Sequence, residues 1–226
     1  SSGQYNTAVG YQALTNFTTN GGITAIGSYA LTANTTGVNT AVGYQALKDS
    51  TSNTQNTALG YNAGQNLTAN NNVAIGHQAT DSGTSATGNV SVGYRALRYN
   101  VTGDYNIAIG QETLEGSSGN NNANNVVIGH QAMRSSTVGN TVAIGYHALR
   151  SLTSGTGNTA IGYRTAYSAT DSVGGAVTLG YEAMYSNTDS TGNVAIGYFA
   201  LRQASGGSSR DYNVAIGYDA IRNGNP

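Results

Sequence analysis

The stretch "NTAVGYQAL" runs over residues 6–14 and returns, letter for letter, over residues 39–47. Between the two lies an altered version, "ITAIGSYAL", at 23–31. The identical copies are therefore two repeats apart. Aligning the chain on the Gly of each such element yields thirteen units, with that Gly at Gly10, Gly27, Gly43, Gly60, Gly76, Gly93, Gly110, Gly129, Gly145, Gly162, Gly180, Gly197 and Gly217. The spacings run from 16 to 20 residues and centre on 17. A period of this length is the signature of a solenoid. It covers residues 1–226 as a single continuous array, with no second domain and no linker.

Each position in the unit obeys a rule. The residue before the Gly is always aliphatic, from Val9 to Ile216. The third before it is Thr, Val or Ile throughout, and the residue between these two is Ala in ten units, with Ser91, Val127 and Thr178 as exceptions. Large, small, large at period two predicts a short strand. Its large face is expected to form a narrow core, and its Ala face to lie outside. Asn stands four before the Gly in ten units, and Tyr stands one after it in nine. Ala and then an apolar residue follow at three and four after the Gly; the residue two after varies freely and is expected to face water. The rest of each unit, such as "NFTTNGG" at 16–22, is turn-forming, and all length variation falls there.

These rules predict an all-β fold, a parallel β-solenoid of about 13 coils with a period of about 17 residues. Stacked Asn amides are expected to bond along the axis. The stacked Gly marks a corner of positive φ or close backbone approach. Only one Pro occurs, Pro226 at the end, so every ladder N–H is free to donate. Three large side chains per unit bury too little to offset the ordering of seventeen backbones. A second face must therefore be covered, and an obligate homo-oligomer is expected, with the Ala-and-Gly face as the contact.

Composition narrows the function classes. Charged residues are 8% of 226 and the net charge is −1, so no nucleic-acid partner is expected. No apolar run approaches the ~20 residues of a membrane span, so no direct insertion is expected from this segment. The opening "SSGQYNTAVG" has neither the basic start nor the apolar core of a secretory signal and is expected to begin a fragment. The chain has no Cys, hence no disulfide framework and no thiolate metal site.

The forms "NVAIG" at 72–76, 193–197 and 213–217 and "TVAIG" at 141–145 carry a family likeness. They resemble the head repeats of YadA-like trimeric autotransporter adhesins, and the fuller "NTAVGYQAL…NTTG…N" resembles phage tail-fibre repeats. The resemblance implies a left-handed β-roll and a homotrimer around a threefold axis. It also implies an extracellular setting, on a bacterial cell surface or a virion tail fibre. The implied role is a structural or adhesive segment that meets a cell-surface glycan or protein receptor. The adhesin heads have coils near 14 residues and no Tyr after the Gly, in contrast to this chain.

Candidate site residues follow from the columns. Tyr11, Tyr44, Tyr61 and Tyr94 could form a sugar-stacking stripe; packing between coils or chains is the favoured alternative. Lys48, Arg98, Arg134, Arg150, Arg202 and Arg222 recur five after the Gly. They could meet an anionic glycan, with a solvated edge or pairing between chains to acids such as Asp104, Asp211 or Asp219 as the favoured alternative. His77 and His130 replace Tyr; a metal-binding triplet around a threefold axis is the minor reading, and no metal or cofactor is expected. No catalytic constellation is present, so the chain is expected not to be an enzyme. A glycan-depolymerising tail spike and an ice-binding solenoid are the alternatives. The second is disfavoured because Thr7, Thr24, Thr40, Thr57 and Thr159 exchange with Val and Ile, as core-facing residues would. The long loops after Gly110 and Gly197 are candidates for local contacts.

Overall fold

A computed structural model gives the fold. It describes all residues except 1–2, 20, 84, 117–121, 171–172, 189–190, 204–210 and 223–226. Most of the two long loops singled out above, and Pro226, lie outside the described residues. Thirteen three-residue strands, β1 (Thr7–Val9) through β13 (Val214–Ile216), follow one another in chain order. They form one parallel sheet in the order β1 to β13, and the chain winds as a β-solenoid of about 11 turns. The register is the one the alignment predicts: Thr7 opposite Thr24, Ala8 opposite Ala25, Val9 opposite Ile26, and so on to Ile196 opposite Ile216. No described residue is helical.

The facing of the strand is the reverse of the expectation. The Ala column points inward and is fully buried from Ala25 to Ala215, while the large residues on either side point outward. Strand β4 (Thr57–Leu59) reads exposed, buried, exposed, and Leu59 is 48% exposed. The cause is width. The opposite wall, built from the segment after the Gly, already sends Ala and Leu inward, as Ala46 with Leu47 and Ala148 with Leu149. The space left across from them is filled by a small residue, Ala in most strands, with Ser91, Val127 and Thr178 buried in the same column. The core is therefore made mainly of Ala from the strand and Ala, Leu or Met from the return wall, with loop residues such as Leu67, Leu152 and Val173, in two clusters, Ile23–Ala79 and Leu97–Ala215. Between the clusters sits a buried polar contact, Thr80 Oγ1 to Ser91 Oγ at 2.7 Å, with the Ser91 hydroxyl also donating to the Val73 carbonyl.

The return wall owes its shape to left-handed residues at fixed places. The second and fourth residues after each Gly have φ near +50°, as in Gln45 (55°) and Leu47 (48°). Such non-Gly positions cost energy locally. Bonds to both neighbouring coils offset it: Gln45 N–H donates back to the Ser28 carbonyl and Leu47 N–H donates forward to the Ala63 carbonyl. The variable second position thus lies half-buried in most units and is buried at His147 and Glu182, where water contact was expected.

The Gly corner satisfies both reasons for its presence. All thirteen have φ between 126° and 138°. A Cβ on any of the first twelve would lie 2.7 Å or less from the carbonyl oxygen of the next corner Gly.

The Asn column is buried and forms a ladder with a more specific pattern than amide stacking. Each Oδ1 accepts the backbone N–H of the same column one coil on: Asn56 N to Asn39 (2.9 Å), Asn72 N to Asn56 (2.9 Å), Asn89 N to Asn72 (2.9 Å), Asn106 N to Asn89 (2.8 Å). The Nδ2 groups donate to neighbouring Oδ1 atoms and to loop carbonyls, as Asn106 does to Asn89 Oδ1 (3.0 Å) and to the Asn122 carbonyl (2.6 Å).

Candidate functional site

Three outward surfaces run along the axis. The first is the outer face of the sheet. Its two columns of Thr, Val, Ile and Leu include Ile26, Leu59, Ile107, Ile109, Ile128, Val177 and Leu179, all exposed. Parallel sheets are normally covered on both faces. Among the described residues, this one is covered by its own coil on the inside, and much of its outer face is exposed. At about 4.8 Å per strand, the bare apolar stripe is roughly 60 Å long, a larger continuous patch than monomers ordinarily show.

The second surface is the aromatic column after the Gly. Tyr44 and Tyr61 stack at 5.0 Å, Tyr61 and His77 at 5.0 Å, and His77 and Tyr94 lie at 5.4 Å. Gln111 interrupts the column. It resumes through His130, Tyr146, Tyr163, Tyr181, Tyr198 and Tyr218 with centroid spacings of 4.8–5.3 Å. Tyr11 meets Tyr29 edge-on, and Tyr29 fills the place left by Ser28, a substitution visible in "SYAL" once the column is known. The four candidate tyrosines are exposed, but each of Tyr44, Tyr61 and Tyr94 turns a ring face to an aromatic neighbour. A sugar ring stacks on a free face, so the column is built first as a coil-to-coil clamp.

The third surface joins the residues two and five after the Gly. Here four of the arginines are closely partnered by carboxylates of the same chain. Arg98 meets Asp81 at 3.8 Å, Arg134 sits between Glu112 (3.1 Å) and Glu115 (3.0 Å), Arg202 meets Glu182 at 2.8 Å, and Arg222 meets Asp219 at 3.2 Å. Asp81, Arg98, Glu115 and Arg134 occupy consecutive places in one column with alternating sign. Reading that column for acids as well as bases would have shown the pairing. Burial pushes the Asp81 carboxyl above its ordinary range, opposed by the charges of Arg98 and His77. Asp104 and Asp211 serve the backbone instead, accepting the N–H of Thr87 and of Thr191, each at 2.7 Å. Tyr167 and Tyr185 also belong to this surface, stacked at 5.2 Å, and neither was singled out from the sequence.

His147 lies in this third surface, 8% exposed, with no partner on either ring nitrogen. Its ring stacks 3.8 Å from Tyr146 and 5.6 Å from His130. Burial, then the charge of Arg150, lowers its pKa to about 4. The folded protein therefore keeps His147 neutral while the unfolded chain takes up a proton near pH 6.5. Its contribution is complete above pH 6.5 and is lost as the pH falls toward 4. A His147→Gln variant is expected to lose less stability between pH 7 and pH 4.5 than the parent, by on the order of 1–2 kcal/mol, read from denaturant midpoints at the two pH values. Equal losses in both would remove His147 as the cause.

Among the described residues, no three His, Cys, Asp or Glu side chains gather as a metal site, and no helix is long and apolar enough to cross a membrane. No protein-family model matches the chain, and neither a curated protein nor a solved structure matches it. The three surfaces are thus the basis for a functional reading.

Proposed function

We propose that the chain is a rigid segment of a homotrimeric extracellular or virion fibre, wound as a left-handed β-roll, which spaces or presents a surface for attachment to a cell. One observation carries this reading: a sheet face with an aliphatic column running through all thirteen strands, from Val9 to Ile216, much of it exposed among the described residues. A second copy is the natural cover, because its own columns repeat at the same spacing and meet the first at every coil. The contact is thus the Val/Ile/Leu face, not the Ala face expected from the sequence. Three copies, the left hand and the attachment role rest on the likeness of "NVAIG" to the adhesin and tail-fibre repeats.

Sedimentation at micromolar and lower concentrations tests it. The parent is expected to run as a trimer, and the double variant Leu59→Glu, Ile109→Glu to lose self-association. A folded, stable monomeric parent would overturn the reading. The double variant leaves the inward Ala and Leu residues untouched, so retained strand signal with lost assembly separates interface from fold.

One observation favours a second reading, ice binding. The reason for setting it aside was that the Thr column faces the core, and it does not. Thr7, Thr24, Thr40 and Thr57 stand in consecutive strands on the outer face. The column then changes to Val and Ile, which shortens any hydrated array. Thermal hysteresis measured on the trimer and on the interface variant decides it.

A further inference from the structure

Most arginines on the third surface have a carboxylate close by. The ninth and tenth units differ. Arg150 reaches no carboxylate among the described residues; it meets Gln131 Oε1 at 3.4 Å and the Tyr167 hydroxyl at 3.5 Å. Arg164 reaches Glu182 only at 4.0 Å, and that carboxylate is held at 2.8 Å by Arg202. The Nε of Arg164 is buried without a partner. Both guanidinium groups lie over the Tyr167 ring, at 5.8 Å and 5.6 Å from its centroid. The His147 ring is 5.7 Å from the same ring, with both nitrogens unspent, and His130 Nδ1 is buried and unpartnered as well. Arg95 also lacks a carboxylate, but it stands alone: its neighbour Arg98 is matched by Asp81, and it meets Gln78 and the Tyr94 ring.

Two guanidiniums short of negative charge and the His147 imidazole, short of hydrogen-bond partners, thus converge on the Tyr167 ring, with the His130 ring 5.6 Å beyond His147. Buried polar groups without partners are costly. A group with several acceptor oxygens and a negative charge would take hydrogen bonds from the two guanidiniums and from the one N–H of a neutral His147 ring, and guanidinium forks suit such oxyanions. The rims of Tyr146 and Tyr163 add the mixed apolar and hydroxyl surface against which a saccharide packs. We infer that the ninth and tenth units carry a binding site for the carboxylate or sulfate of an acidic glycan, centred on Arg150, Arg164 and His147. This rests on the attachment reading and locates its contact. The site is on a different surface from the apolar sheet face, so assembly leaves it open.

The test uses the full chain in its assembled state. Two acidic probes, a sialic-acid-terminated trisaccharide and a sulfated disaccharide, are titrated beside their uncharged counterparts at low salt. One acidic probe is expected to bind at least about tenfold more tightly than its counterpart, and the probe that binds tells carboxylate from sulfate. Arg150→Gln and Arg164→Gln are each expected to weaken it at least about tenfold, and Arg98→Gln to leave it unchanged. The charged groups facing His147 are Arg134, Arg150, Arg164 and His130, beside the rings of Tyr146 and Tyr167. A bound anion offsets their repulsion of a proton. Binding should therefore strengthen from pH 7 to pH 5 in the parent and not in His147→Gln. Equal binding of uncharged probes, or unchanged binding in both arginine variants, overturns the site. So does dissociation of the assembly in Arg150→Gln, which would give the cluster to an acidic residue of a neighbouring copy. Cell attachment that persists without acidic-glycan binding overturns this site alone. A monomeric parent overturns the fibre reading and leaves the glycan titration interpretable.

Discussion

Replacing Gly76 by Ala is expected to be among the most damaging single changes in the array. Gly76 has φ +127°, a conformation that L residues rarely adopt. The added Cβ would lie 2.5 Å from the Gly93 carbonyl oxygen and 2.7 Å from its carbon. Neither obstacle is the loose end of a side chain. Both belong to the backbone of the next coil, which is itself held by the Gly93 N–H to Ile75 carbonyl bond at 2.8 Å. Backbone strain at about 1–3 kcal/mol and overpacking of similar size together predict a loss of about 3–5 kcal/mol. Because the position is interior, it also weakens the contact between the coils on either side. Gly175 supplies the control. Its φ is +64° and nothing lies within 4 Å of its would-be Cβ. Gly175→Ala is expected to cost only about 1–2 kcal/mol. Denaturant unfolding followed by circular dichroism compares them, and equal losses would show that the corner is not held by steric exclusion.

Asn106→Ala is the second large effect. The side chain is fully buried. Its Oδ1 accepts from Asn125 N at 3.1 Å and from Asn125 Nδ2 at 3.0 Å. Its Nδ2 donates to Asn89 Oδ1, to the Gly103 carbonyl and to the Asn122 carbonyl. Truncation strands several of these groups away from water, at a total of about 2–4 kcal/mol. Asn106→Asp separates acceptance from donation. The carboxylate still accepts from Asn125, but it cannot donate and it is a buried charge. Its loss is expected to be larger at pH 7 than at pH 4, where the carboxyl is protonated and one donor returns. A pH-independent loss in Asn106→Asp would count against the two-way role of the amide.

Much of this fold is legible from position rules because a solenoid places like residues against like. The Gly of "AVGY" and "AIGY" had to be a corner, since only a residue without Cβ stacks on its own backbone at that distance. Asn39, Asn56, Asn72 and Asn89 had to bond along the axis, since a buried amide repeated at every coil has its next copy as nearest partner. The strand register followed from the same alignment. The charged column was half legible: its arginines were visible, but the alternating Asp81, Arg98, Glu115, Arg134 order went unread until the stacking was known. His147 and Arg164 carried no signal in the sequence, because the position they occupy accepts almost any residue. Their place under a shared phenol ring depends on Tyr167, which is five after its own Gly.

The sequence by itself determined the period, the three-residue strands, their parallel order and register, the corner and the Asn ladder. All of these depend on which residue follows which, repeated thirteen times. Only the tertiary structure decided which face of the strand is inside. Alternation in "TAV" says that two faces differ; it does not say which one meets the core. That choice depends on the distance to the opposite wall, where Ala46 and Leu47 and their counterparts already fill the space. The narrow interior takes the middle residue of each strand, Ala in most and Ser91, Val127 and Thr178 in three, and sends the flanking Val, Ile and Leu out. A surface that looked like the core of one chain thus becomes the surface through which chains are proposed to meet.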